Sequence, residues 1–215
     1  MRVIVFAKAP VPGSAKTRLI PARGAAGAAR FHARLGERAL ETACAASLGP
    51  VELCCTPDRS HPFFSKCALR FGVSLTEQGT GDLGERMHRA LAADLPAVLI
   101  GADCPAMTPD YLREAAAALA AGQDVALGPA EDGGYVLIAA NRIRPDAFAR
   151  IGWGGPDVME DQRARLREVG WRWSELPPLW DVDRPEDLAR IRSGMPGVAA
   201  LLTALRREED GENTR

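Results

Sequence analysis

The chain has 215 residues, of which 47% are hydrophobic, and its 27 Lys plus Arg against 28 Asp plus Glu leave a formal net charge of -1. That length suits one sizeable core, and the near-neutral charge excludes the broad basic surface that nucleic-acid binding needs. No apolar run reaches bilayer length, no signal-peptide succession opens the chain, and five cysteines without zinc-type spacing suit a reducing compartment, so a cytoplasmic protein without a membrane span is expected.

Val3, Ile4, Val5 and Phe6 form a short, β-branched apolar run without polar alternation, as expected of a strand buried on both faces of a sheet. Residues 8–18, KAPVPGSAKTR, follow directly, and two prolines and a glycine set the turn. In open α/β sheets ligands bind at the C-terminal ends of strands. The chain has lysine only at positions 8, 16 and 66, and two of these fall in this loop beside Arg18. A small anionic ligand is the natural partner of such a local cationic cluster, with lysine as a point charge and arginine as a fork on phosphate oxygens. The loop is neither a Walker A motif nor a GxGxxG fingerprint.

A turn at 21–24 leads into residues 25–47, where Phe31, Leu35, Ala39, Leu40 and Ala43 recur at helical spacing. Strand 51–56, helix 63–71 and strand 73–76 follow, a βαβαβ order that implies parallel strands with helices on the faces. Residues 77–87 read EQGTGDLGERM: Asp82 and Glu85 form a capping box, while Gly79 and Gly81 offer bare backbone to a planar base and Arg86 stands one turn into the helix. Strand 96–100 ends in GADCP. Asp103 there is placed to hold a hard cation beside phosphates, since the next helix starts near Thr108, Pro109 and Asp110 and does not need it as a cap.

After helix 111–121 and strand 124–127 come residues 128–135, GPAEDGGY, and another strand through Ala140. This is either an ordinary Asp-Gly hairpin or a place where Asp132, Gly133 and Gly134 border a ligand. A helical segment at 143–151 and a mobile aromatic loop at 152–157 follow, the loop able to cover a site or dock a partner; Asp157 there is a candidate cap of helix 158–169. Strand 171–176 precedes WDVDRPEDL at 180–188, where Asp183, Pro185 and Glu186 suit a helix N-terminus and leave a second acidic contact for a metal. Closing helices are expected at 188–205 and a frayed tail at 206–215.

AKAPVPGSAKTRL, QGTGDLGERM, GADCP, GPAEDGGYVLI and WDVDRPEDL, in this order, resemble the GT-A (nucleotide-diphospho-sugar transferase) superfamily. Within it they resemble the small bacterial glycosyltransferase branch of the arsenosugar-biosynthesis type, with kinship to molybdopterin- and phospholactate-guanylyltransferase-like nucleotidyltransferases. The resemblance implies a single Rossmann-like, three-layer α/β/α domain over residues 1–205 with a mostly parallel sheet. It implies nucleotide contacts from Ala7, Lys8, Gly13, Lys16 and Arg18 and from Gln78, Gly79, Gly81, Leu83, Gly84 and Arg86, and Mg²⁺ or Mn²⁺ on Asp103 and Asp183.

The expected activity is transfer of a glycosyl group from a nucleotide-diphospho-sugar donor to a small-molecule acceptor, with Lys16 and Asp132 as catalytic residues and Asp157 as an alternative base. The middle motif carries one carboxylate, Ala102-Asp103-Cys104, instead of a DxD triplet. That departure keeps nucleotidyl transfer, in which pyrophosphate leaves a nucleoside triphosphate, as the alternative. A non-catalytic nucleotide-binding regulator is a further one; under any of the three readings the chain could form a homo-oligomer.

Overall fold

The computed structural model describes residues 1–194. Seven strands form one sheet in the order β3-β2-β1-β4-β6-β5-β7. They are β1 (Arg2–Lys8), β2 (Val51–Thr56), β3 (Ser74–Glu77), β4 (Ala97–Gly101), β5 (Val125–Pro129), β6 (Tyr135–Ala140) and β7 (Trp173–Glu175). β1 pairs in parallel with β2 and β4, β2 with β3, and β5 with β7; β6 alone runs antiparallel, between β4 and β5. This is a mixed-sheet α/β fold, and the expected mostly parallel sheet is what forms.

Helices cover both faces, which is why the central strands read as unbroken apolar runs. Val3, Val5, Leu53 and Ile100 pack on one face with α1 (Ile20–Ala46), α2 (Pro62–Phe71) and α4 (Pro109–Ala120) through Leu40, Phe64 and Leu112. Ile4, Phe6, Leu99 and Ile138 pack on the other with α3 (Leu83–Ala92) and α5 (Val158–Glu168) through Met87, Leu91 and Leu166. A third cluster joins the first half of α1 to α6 (Pro185–Gly194) through Leu19, Phe31, Leu35, Val182 and Leu188. Cys54, Cys55, Cys67 and Cys104 are buried free thiols, with burial pushing Cys54 up to about 11 and the other three to about 12, so they act as packing residues.

Several local expectations shift. The turn at 21–24 becomes a first helical turn that Gly24 breaks with φ 67° and ψ 167°, and residues 143–151 hold only a short 3₁₀ turn, Pro145–Phe148. GPAEDGGY is a hairpin turn: β5 and β6 pair antiparallel, Ala130 N–H donates to Gly134 O and Gly133 N–H to Ala130 O. Gly133 is not open to a ligand, because a Cβ there would meet Pro156 O at 1.8 Å. The aromatic loop packs instead of standing free. Trp153 lies against Gly84, stacks on Phe148 at 6.5 Å and meets Tyr135 edge-on at 6.2 Å. Of the closing helices expected at 188–205, the first part lies in α6, while residues 195–205 and the tail at 206–215 lie outside the described residues.

Candidate active site

The C-terminal ends of β1, β4 and β5 and the turn before β6 share one edge of the sheet, and the chain beyond β7 runs back across it. Leu176 N–H donates to Leu127 O, Leu179 N–H to Pro129 O and Val182 N–H to Asp103 O, so this segment is laced first to β5 and then to the end of β4. Val182 is fully buried. Its neighbours Asp181 and Asp183 line one pocket together.

The cationic loop enters from β1. Ala9 N–H donates to Thr56 O, Ser14 and Ala15 N–H both donate to Val11 O, and Lys8 Nζ closes the loop on Ser14 O at 2.9 Å. Lys16 then adopts φ 48° and ψ 48°, a left-handed conformation that non-glycine residues rarely hold. That backbone carries its side chain inward, 5% exposed, with Nζ 3.1 Å from Asp103 Oδ2 and 3.9 Å from Asp183 Oδ1. Arg18 pairs with the other oxygen of Asp183. Residues from the first motif, the middle motif and the late motif thus meet around one ammonium group.

Asp103 is not a helix cap: Thr108 accepts from Tyr111 N–H and starts α4. Burial of Oδ1 would raise the Asp103 pKa, but the Lys16 ammonium and the adjacent His32 ring outweigh it and hold the carboxyl well below the usual carboxylate range. Nor does Asp183 cap α6. Asp187 takes that role, its Oδ2 accepting from Asp183 N–H at 2.9 Å and Arg184 N–H at 2.7 Å, which leaves the Asp183 carboxylate to the cations. Among the described residues no three His, Cys, Asp or Glu side chains converge as a closed metal cage. The two carboxylates around a seated positive charge do fit a hard cation that takes one or two protein carboxylates and completes its shell with phosphate oxygens and water.

Two concavities adjoin at this edge. A slot of about 280 Å³ is lined by Phe6, Gln78, Leu83, Met87, Leu99 and Tyr135, and a second pocket of about 280 Å³ by Lys8, Ser14, Lys16, Arg18, Asp103 and Asp183. Lys8, His32 and Asp103 border both. The first is mostly apolar away from that shared border, with one fixed amide: Gln78 Nε2 donates to Cys54 O at 3.0 Å, and Gln78 Oε1 accepts from Arg86 Nη1 at 2.9 Å. Size and lining suit a base in the slot and phosphates in the pocket. A wider concavity of about 850 Å³ lies outside α3, by Glu85, Arg89, Phe148 and Arg150, but it holds none of the converging carboxylates or lysines.

Of the second motif, Gln78 and Leu83 line the slot, and Arg86 acts on it through Gln78. Gly79 and Gly81 serve the turn itself. Their φ values are 73° and 103°, and a Cβ would meet Arg89 at 2.6 Å or Glu85 at 2.2 Å, so the turn itself requires glycine there; both positions are exposed and neither lines the slot. Gly84 gives way to the Trp153 ring. In the first motif Gly13, at φ 81°, turns the loop with open space around it, and Ala7 is buried inside β1. Asp157 stands at the start of α5 without a side-chain cap bond.

Asp132 binds its own turn, Oδ1 accepting from Gly134 N–H at 3.0 Å, and lines a third pocket of about 250 Å³ with Glu131, Trp180, Asp181, Asp183 and Arg184. Arg190 lies over Trp180 at 4.4 Å and is held by both oxygens of Glu131. Asp181 is raised to about 6, by burial first and then by the charge of Asp132, with Lys16 partly offsetting. Sequence reasoning singled out neither Asp181 nor His32 as a site residue. The first was visible as the extra carboxylate of DVD, and the second as a lone histidine on an alanine-rich helix.

The sequence profile of the family described as "Uncharacterized protein conserved in bacteria (DUF2064)" matches residues 39–155. No curated protein matches the chain. Among solved structures, a Desulfovibrio desulfuricans G20 protein provisionally described as a nucleotide-diphospho-sugar transferase is 30% identical, with TM-score 0.83 over 98% of this chain and 95% of that one. A cytidylyltransferase from Leptospira borgpetersenii serovar Hardjo-bovis (strain JB197) is 15% identical, TM-score 0.59, over 97% of this chain and 94% of that one. Glucosyl-3-phosphoglycerate synthase from Mycobacterium tuberculosis, solved with Mn²⁺, UDP and glucosyl-3-phosphoglycerate, is 13% identical, TM-score 0.53, over 94% of this chain and 78% of that one. The last two likenesses speak to the fold alone. By its profile match over more than half of its length the chain belongs to the DUF2064 family, and it has a fold shared with nucleotide-sugar and nucleotidyl transferases.

Proposed function

We propose that the protein is a divalent-metal-dependent glycosyltransferase that takes a nucleotide-diphospho-sugar as donor. The observation that carries this reading is the order of charge along the sheet edge. A mostly apolar slot with one fixed amide shares Lys8, His32 and Asp103 with a pocket that holds Lys16 and Arg18, and this in turn shares Arg18 and Asp183 with a pocket of five carboxylates and three arginines. A base, a diphosphate and a neutral polyhydroxyl group match that order, since five carboxylates against three arginines leave the third pocket net acidic and favour a neutral group there over a further phosphate.

In this reading the Gln78 amide, fixed by Arg86 and Cys54, meets the edge of the base, and Lys16 and Arg18 leave their carboxylates to bind the diphosphate. Asp103 and Asp183 would hold Mg²⁺ or Mn²⁺, which when bound supplies Lewis-acid neutralisation of the departing nucleoside diphosphate. Asp132, anchored by its own turn at the mouth of the acidic pocket, is the group placed to take a proton from an acceptor hydroxyl. Lys16 stabilises charge on the leaving group, its ammonium already seated at the phosphate-sized pocket. The finer assignment, to the arsenosugar-biosynthesis branch, rests on the five sequence motifs.

Nucleotidyl transfer is favoured by one feature: the two carboxylates come from separate segments, the end of β4 and the approach to α6, and not from an adjacent pair. The two chemistries differ in what leaves. Purified protein incubated with Mn²⁺ and a panel of nucleotide sugars or nucleoside triphosphates, with phosphorylated and unphosphorylated acceptors, should release nucleoside diphosphate from a nucleotide sugar. Pyrophosphate from a triphosphate as the sole product would replace the glycosyl reading with the nucleotidyl one.

A further inference from the structure

One concavity at this edge has no part in placing the donor. A pocket of about 180 Å³ is walled by Leu83, Met87, Tyr135, Trp153 and Val158 and has Asp132 on its border. It shares Leu83, Met87 and Tyr135 with the mostly apolar slot, and among the described residues Asp132 alone borders both it and the net acidic third pocket. The slot, the phosphate-sized pocket, the acidic pocket and this one therefore form a closed series in which each shares lining residues with the next.

Two glycine-rich segments build it. The turn that carries Asp132 is locked to the loop at 152–157: Met159 N–H donates to Gly133 O at 2.8 Å, and the bare Gly133 lets Pro156 O close against it. Gly152 N–H donates to Asp161 Oδ2 at 3.0 Å and Gly155 N–H to Gly152 O at 3.1 Å, which ties the loop to α5. The Asp132 turn and the Trp153 loop are thus held in one frame. Exposed Gly154, with nothing within 4 Å of where a Cβ would stand, leaves the outer side clear. Charge separates this pocket from its neighbours. Lys8, Lys16 and Arg18 line the second pocket and three arginines the third, whereas among the described residues none that lines this one is a cation. A phosphate or carboxylate here would lose hydration, meet no counter-charge and stand beside Asp132. An apolar face gains by burial against Trp153 and Val158, and a hydroxyl finds its acceptor in Asp132.

We propose that this pocket is the acceptor subsite, and that the acceptor is a compact, uncharged alcohol with an apolar face. The inference rests on the glycosyl-transfer reading and names the class of its acceptor. The acceptor oxygen attacks the anomeric carbon of a sugar in the third pocket. A new C–O bond forms as the bond from that carbon to the diphosphate oxygen breaks; its electron pair leaves on the nucleoside diphosphate, and the hydroxyl proton passes to Asp132. The general base has to lie between donor sugar and acceptor, and Asp132 is the group that their two pockets share. Trp153 sets acceptor specificity in this assignment, since it walls the acceptor pocket and lines none of the three that take the donor.

Nucleoside diphosphate release by the full chain is measured with Mn²⁺, a panel of nucleotide sugars and three acceptors, with water alone as the baseline. Benzyl alcohol offers an uncharged hydroxyl on an apolar face, mandelate adds a carboxylate beside the same hydroxyl, and glycerol removes the apolar face. In wild type, kcat/KM for benzyl alcohol should exceed that for mandelate and for glycerol by about 10-fold or more. Trp153→Arg sets a cation on the wall and should shift the ratio of benzyl alcohol to mandelate toward mandelate by about 10-fold or more, chiefly through the acceptor KM. Mandelate or glycerol used as well as benzyl alcohol, no acceptor faster than water, or a ratio that Trp153→Arg leaves in place would overturn the acceptor assignment while the glycosyl reading stands. No nucleoside diphosphate from any nucleotide sugar would remove the glycosyl reading, and the inference with it. Should a melting curve show that Trp153→Arg does not fold, the wild-type ratios decide together with Trp153→Leu, whose smaller wall should raise the benzyl alcohol KM about 3- to 10-fold; an unmoved KM would overturn the role of Trp153 and the subsite it walls.

Discussion

Replacing Lys16 with Met tests whether the converging cluster is a phosphate site. Met keeps most of the length and volume and removes only the charge. In the wild-type protein the ammonium lies 3.1 Å from Asp103 and 3.9 Å from Asp183, and the carboxylates are 42% and 37% exposed. Water can therefore take over part of their solvation in the variant, and Arg18 still pairs with Asp183. The cost to folding should be small, about 1 kcal/mol or less. The cost to the ligand is larger, because a charge-assisted bond contributes about 1.5–3 kcal/mol, or about 10- to 150-fold in dissociation constant. Titration calorimetry with a nucleoside diphosphate and Mn²⁺ should show that loss, while the matching free nucleoside, confined to the slot by Gln78 and Leu83, should change by less than about twofold. Mn²⁺ alone should bind the variant more tightly, since no ammonium competes for the two carboxylates. Equal losses for nucleoside and diphosphate, or none for either, would refute the assignment.

Gly84→Ala would set a Cβ 2.7–2.9 Å from three atoms of the Trp153 indole, a clash that should cost about 1–3 kcal/mol and lower the melting temperature; an unchanged melt would show that the aromatic loop yields freely. Asp187→Ala removes the acceptor for two backbone N–H groups at the start of α6 and should cost about 0.5–2 kcal/mol by thermal denaturation, largely restored by Asn. Arg163 holds Glu175 through bonds of 2.9 and 2.8 Å, and these bonds lower the pKa of Glu175 below its ordinary value. The folded value lies below the unfolded one, so the pair's contribution, at most about 1 kcal/mol for side chains this exposed, is complete above about pH 4.5 and fades as pH falls through the lower folded pKa. Denaturant melts of wild type and Glu175→Gln should therefore differ at pH 7 and converge in strong acid; a gap independent of pH would show that the charge contributes nothing.

Much of the architecture was legible because each signal was local. Val3 to Phe6 read as a doubly buried strand from composition alone, and the structure leaves Val3, Ile4 and Val5 without exposed surface. Asp82 and Glu85 form the capping box their spacing announces, with reciprocal bonds of 2.9 and 3.0 Å. Gly79 and Gly81 show where local reading stops. A glycine signals freedom of backbone without saying what uses it, and here the turn uses it, with Arg89 and Glu85 of the following helix standing where a side chain would go.

The candidate site was half legible for the same reason. Lys16, Asp103 and Asp183 each stood out by position, yet their meeting depends on the chain beyond β7 being laced to β5 and β4, a long-range pairing that no spacing encodes. That lacing also decides between two carboxylates that sequence cannot separate. Asp183 and Asp187 both precede or open α6, and either could cap it. Once Val182 N–H is tied to Asp103 O, Asp183 is drawn to the cations and Asp187 is left to cap. His32 follows the same logic from α1: a histidine at helical spacing reads as core until the ends of β1 and β4 are side by side, and only then do its two nitrogens have a carbonyl and a carboxylate to face. The chemistry at this edge is a property of the sheet order, since each group's partner lies on a segment remote in sequence and adjacent only through the parallel pairing of β1 with β4 and the lacing of the return segment to Asp103.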